Sequence, residues 1–143
     1  MHAIARDTGP AVPDDNVELV RWIFEQLFGG RRIDPARLAP DVEWVNPPEA
    51  VEPGTRRGPD EFNRAIANVF AAWDDVHFET DRLIPSGDDV VVLGRLRGHI
   101  HGPGMAVEAS HGELWSFRDG LVTRMEWFNT HDEALQAAGV KEA

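Results

Sequence analysis

The sequence predicts a single α+β domain, cone-shaped, in which helices pack against a curved antiparallel sheet. Element order is the first reason: a helix, a short helix, a strand and another helix precede four strands joined mostly by hairpins. That order leaves little room for the crossover helices that a parallel sheet requires. Size is the second, since 143 residues, 42% hydrophobic and 27% charged, suffice for one packed core, and no internal repeat divides them.

Residues 1–13 hold Gly9, Pro10 and Pro13 without periodicity and read as a flexible lead to one domain over residues 14–143. Asp15 with Glu18 forms a capping-box variant, and Val17, Val20, Phe24, Leu27 and Phe28 recur at helical spacing until Gly29 and Gly30 stop the run. Asp34 and Pro35 open a short helical turn that Pro40 closes. In the following strand Val42, Trp44 and Asn46 share a face, and Pro47 and Pro48 end it. Residues 47–58, rich in Pro and Gly, read as a long loop forming a lid or pocket rim. A helix then runs from about Pro59 to Trp73 on the stripe Phe62, Ile66, Val69, Phe70 and Trp73. Strand patterns follow in DVHFETDRLI, VVVLGRLRGHI, VEASHGELWSF and LVTRMEWFN, separated by PSGDD, HGPG and RDG, before a short DEALQAAG helix closed by Gly139. Helices on one face of such a sheet leave a conical space suited to a small ligand, and the other face is apolar enough to suggest a homodimer.

Charge and composition exclude several classes of function. Fourteen Lys and Arg stand against 25 Asp and Glu, a net charge of −11 that repels nucleic acid and anionic membrane surfaces. With 0 Cys there is no thiolate nucleophile, zinc–thiolate site or disulfide. No apolar run approaches the roughly 20 residues of a membrane span, and the first residues lack a signal-peptide core, so a cytoplasmic location is expected. No GxSxG, GxGxxG or P-loop spacing occurs, and no cofactor is expected.

Six segments, NVELVRWIFEQL, LAPDVEWVNPP, PGTRRGPDEF, DDVVVLGRLRG, LWSFRDGLV and EWFNTHDEALQAAGV, resemble in content and order the SnoaL-like group of the nuclear-transport-factor-2-like superfamily. The resemblance runs from about Asp15 to Val140 and implies that group's cystatin-like fold. It spans many activities and non-catalytic members, so fold alone does not assign one. Against ketosteroid isomerases, the base position reads Asn46 before Pro47, and the chain contains no Tyr to supply an oxyanion donor. Limonene epoxide hydrolase is the nearer template: Trp44-Val45-Asn46-Pro47-Pro48 resembles its first-strand pattern, and the resemblance places its Arg and two acids at Arg95, Arg97 and Glu126. Arg97 stands where that family has Asp, and Glu113 is the candidate replacement acid.

Which of these charges meet depends on register. If the paired residue numbers of the hairpin around HGPG sum to 208, Arg95 faces Glu113 and Arg97 faces His111; a sum of 207 puts those partners on opposite faces. The first gives a cluster of Arg95, Arg97, His111, Glu113 and Glu126 able to prepare an acid or base, and the bland alternative is ion pairs on a solvated or interfacial sheet face. His99, His101 and His111 are three imidazoles at a hairpin, more simply solvated than metal-binding, and no metal is expected. Trp44 and Trp115 alternate with polar positions on strands and suit pocket walls. Arg56 and Arg57 read as solvated loop charges that could also meet an anion at a pocket mouth. Two functions stay open. One is a cofactor-independent hydrolase, cyclase or isomerase acting on a small apolar or aromatic molecule, with Glu126, Glu113, Arg95 and Arg97 catalytic, Asn46 orienting, and Trp44, Asn46, His111 and Trp115 binding the ligand. The other is a non-catalytic ligand-binding or dimerisation domain.

Overall fold

The structure, a computed structural model, describes residues 15–102 and 104–141, and the lead expected over residues 1–13 lies outside them. The first helix, α1 (Asn16–Gly30), is capped by Asp15, whose Oδ1 accepts from the backbone N–H of Val17 at 2.8 Å and of Glu18 at 3.3 Å. Its Leu19, Val20 and Ile23 are fully enclosed, each burial stabilising the fold by about 1.5–3 kcal/mol. Gly29 and Gly30 form its last turn, and Arg31 beyond them takes the left-handed cap at φ 59°. That conformation is costly for Arg, and its guanidinium lies 5.2 Å from the Phe70 ring centroid, a cation–π contact that offsets part of the cost.

A single 3-10 turn (Pro35–Arg37) leads into β1 (Leu38–Asn46). The segment expected to be loop contains a further strand, β2 (Gly54–Arg57), paired antiparallel with β1. Four residues without apolar alternation carry no strand signal of their own; the edge of β1 supplies it. Next, α2 (Pro59–Ala71) ends two residues before Trp73, which opens β3 (Trp73–Ser86). Then follow β4 (Asp89–Ile100), β5 (Ala106–Arg118), β6 (Leu121–Phe128) and α3 (His131–Ala138), the last capped by Thr130 and by Gly139 at φ 70°.

The six strands form one sheet in the order β2-β1-β6-β5-β4-β3. All neighbours are antiparallel except β1 and β6, which run parallel, so the expected antiparallel sheet is mixed at one pair. The inner face carries Trp44, Val90, Val92, Trp115 and Met125 against α1 and α2. On the outer face Val91, Leu93, Leu114 and Phe128 are covered by Ala134 and Leu135 of α3. Beyond α3 that face is charged, contrary to the apolar second face expected: α3 consumes the apolar part, and alternation along β3 and β4 puts Glu79, Asp81, Arg95 and Arg97 outside. No helix among the described residues is long and apolar enough to cross a membrane.

Candidate functional site

The hairpin register decides which charges meet. Ile100 N donates to Met105 O at 2.9 Å, and Arg95 pairs with Ser110 and Arg97 with Glu108, so the paired numbers sum to 205, neither of the two sums weighed from sequence. Val92 faces Glu113 and Gly94 faces His111, both on the inner side.

Between α1, α2 and this inner face lies a cavity of about 550 Å³, room for on the order of 18 waters and so for a molecule of two or three rings. Phe24, Trp44, Phe78, Trp115 and Trp127 line it, with Phe28, Val51 and Val69 exposed along its lining. The polar groups form two hydrogen-bonded sets that meet where the His111 ring stacks on Trp127. Glu113 Oε1 accepts from Trp115 Nε1 at 2.7 Å, and Glu113 Oε2 lies 2.9 Å from His111 Nε2. The side chains of His111 and Glu113 are only 12% and 15% exposed. The His111 ring stacks on Trp127 at 5.7 Å and meets the edge of Phe78 at 5.6 Å. Trp127 Nε1 and Trp44 Nε1 both donate to Asn46 Oδ1 at 2.7 Å, and Asn46 Nδ2 donates to Glu52 O at 2.8 Å. Asn46 therefore fixes two indoles of the wall and ties β1 to the 47–53 segment.

A carboxylate only accepts hydrogen bonds, so beside it the neutral tautomer with the proton on Nε2 is favoured, and in that tautomer His111 Nδ1 keeps the lone pair. A base whose orientation and tautomer are set by a carboxylate is an arrangement suited to proton transfer.

Glu113, Trp44, Asn46, His111 and Trp115 are thus together at the cavity. Arg95, Arg97 and Glu126 are not. Arg95 and Arg97 lie on the exposed outer face, where Glu79 is 2.6 Å from Arg95 and 3.5 Å from Arg97. Hydrogen bonding to Asp81, and the charges of Asp81 and Glu79, hold the Arg95 pKa above its ordinary value. Glu126 pairs with Val45 of β1 and Leu114 of β5 on the outer side, and its carboxylate is 3.1 Å from Arg124. The three-imidazole group does not assemble either: His99 meets Asp75 at 2.9 Å, His101 meets Asp74 at 2.7 Å, and His111 is in the cavity. No metal-holding group occurs among the described residues. Arg56 and Arg57 are strand residues with carboxylate partners, Arg56 lining the cavity beside Glu52 and Arg57 2.9 Å from Glu43. Sequence reasoning missed Phe78, Trp127 and Gly94. Trp127 shares the inward parity of Met125, and Gly94 inside an apolar strand marks the place where another group approaches closely.

The profile of the SnoaL-like domain matches residues 20–125. Comparison with curated proteins yields no match. Among solved structures, an NTF2-like protein of unknown function from Burkholderia pseudomallei K96243 is 26% identical over 85% of this chain and 96% of that one, with a TM-score of 0.67. TerC, co-crystallised with polyporic acid, is 25% identical over 84% and 97%, with a TM-score of 0.62. A putative SnoaL-like polyketide cyclase from Jannaschia sp. CCS1 is 21% identical over 96% and 100%, with a TM-score of 0.69, a likeness of fold.

Proposed function

This chain belongs to the SnoaL-like domain family, and from that membership and its cavity we propose that it is a cofactor-independent acid–base enzyme acting on a small, largely apolar aromatic molecule. The observation that carries the reading is the His111–Glu113 pair, 2.9 Å apart and turned into an aromatic cavity. In this reading His111 Nδ1 takes a proton from the bound molecule and returns it at another position, as an isomerase or cyclase step requires. Glu113 holds the ring and stabilises the imidazolium while it exists. Trp115 Nε1 keeps Glu113 in place, and Asn46 keeps Trp127 stacked beneath the base. TerC's co-crystallisation with polyporic acid supports a small organic molecule as occupant.

A thermal-shift panel of polycyclic ketones, aromatic polyketide-like compounds and epoxides gives the first test, because a ligand at about 100 times its Kd stabilises by roughly 2.7 kcal/mol. Turnover of the hits is then followed by mass spectrometry. His111→Asn is expected to lower kcat by about 10²–10⁴ with KM little changed, the usual scale for a lost general base. A hit that binds and is never converted supports the binding-domain alternative instead. Pairing of two copies across the exposed part of β3–β5 stays within this reading, with ion pairs of the Arg95–Glu79 kind as its contacts. Such a dimer is expected to dissociate as salt rises, which sedimentation at two salt concentrations measures.

A further inference from the structure

The charges that line the cavity are Glu52, Arg56, His111 and Glu113. Arg56 is engaged by the Glu52 carboxylate, so it is not a free cation. With a neutral imidazole the remaining pair carries one negative charge, and with a protonated imidazole none; in neither state is it positive. An anion entering the cavity therefore loses hydration without gaining an unpaired positive partner among the described residues.

Glu113 retains acceptor capacity. A carboxylate offers about four lone-pair positions, and the two bonds from Trp115 Nε1 and His111 Nε2 occupy one on each oxygen. Trp115, which donates to Glu113, and Trp127, the partner of Glu113 across the β5–β6 pair, flank it, and Phe78 meets the edge of the His111 ring, so the surroundings of the carboxylate are aromatic. The net charge of −11 adds long-range attraction of the same sign.

We infer that the cavity selects aromatic molecules bearing a protonated amine, the ammonium seated on the free acceptor positions of Glu113 and the ring system packed toward Phe24 and Trp44. This rests on the cavity being a ligand site, as proposed above, and adds the charge of the ligand. That charge is set by this chain's own side chains, and the occupant of TerC is not carried over.

Three probes of one shape test it by titration calorimetry at neutral pH: naphthylmethylamine as cation, naphthylmethanol as neutral control and naphthoate as anion. The amine is expected to bind about tenfold more tightly than the alcohol, the scale of a charge-assisted hydrogen bond to the Glu113 carboxylate, and naphthoate weakest of all. Glu113→Gln, checked for an unchanged far-ultraviolet spectrum, is expected to reduce the amine-to-alcohol affinity ratio to about one, whatever it does to the alcohol's own Kd. The wild-type ranking stands as a test even where that variant does not fold. Naphthoate equal to or tighter than the amine, or an amine preference that survives Glu113→Gln, overturns the inference and leaves the cavity reading intact. Binding of none of the three overturns both.

Discussion

Two charged groups sit on opposite faces of the same sheet, Arg95 of β4 with Glu79 of β3 outside and His111 with Glu113 of β5 inside. Outside, Arg95 lies 2.6 Å from Glu79, with side chains 44% and 48% exposed. Inside, His111 lies 2.9 Å from Glu113, with side chains 12% and 15% exposed. The outer pair is shorter and formally stronger, yet water and salt screen it, and such pairs contribute at most about 1 kcal/mol. The inner pair has fewer waters competing for it and faces a largely apolar cavity where a proton transfer has consequences. Burial, more than separation, tells the structural cluster from the chemical one.

The change expected to break the inner face most severely is Gly94→Ala. A Cβ there would run into the Glu79 carbonyl and the Phe78 ring, which touches His111. Overpacking of that kind costs about 3 kcal/mol, to be read from urea unfolding, and ligand affinity is expected to fall with it. Trp115→Phe keeps an aromatic ring but removes the indole donor from Glu113 Oε1. A loss of about 1–2 kcal/mol is expected, with a larger relative effect on turnover than on stability. On the outer face Arg95→Met is expected to leave stability nearly unchanged, and ligand affinity and turnover unchanged. Lost turnover in that variant would return Arg95 to the catalytic role that the resemblance to limonene epoxide hydrolase implies.

The smallest effect is a pH dependence at the outer edge. The hydrogen bond with the His99 ring, and then the His99 backbone N–H and charge, hold the Asp75 pKa below its ordinary range. A carboxylate lowered on folding adds stability above its unfolded pKa and loses it as pH falls through the folded one, here below about pH 4. The Tm difference between wild type and Asp75→Asn is therefore expected at neutral pH and to vanish in acid.

Periodicity made α1, α2 and the four long strands legible in the sequence, because each presents one continuous apolar face to the core. The strand Gly54–Arg57 was not legible, since its pairing energy comes from β1 and its four residues bury nothing. The parallel contact of β1 with β6 was equally hidden, being fixed by distant packing and not by a turn. The hairpin register was within reach: four residues separate Ile100 from Met105, and closing them as a turn pairs those two and places Arg95 outside. Aligning the charges first gives the opposite answer for Arg95 and Arg97. Glu126 fails for the same reason, since strand alternation from Met125 and Trp127 already turns it away from the cavity. Trp44 and Asn46 share a face of β1, and His111, Glu113 and Trp115 a face of β5, because a spacing of two within one strand survives any register; the pairing of both strands with β6 turns the two sets to the same side.

The bond from Trp127 to Asn46 joins residues 81 positions apart, through strands that meet only in the parallel pair. Contacts of such high sequence separation carry a large loop-closure entropy and tend to form late in folding. A chain still lacking β6 has the His111–Glu113 hairpin but no Trp127 beneath it and no second indole on Asn46. Assembly of the cavity and docking of the last strand are then one event, and a ligand that binds only the closed cavity draws β6 into place and stabilises the whole domain by mass action.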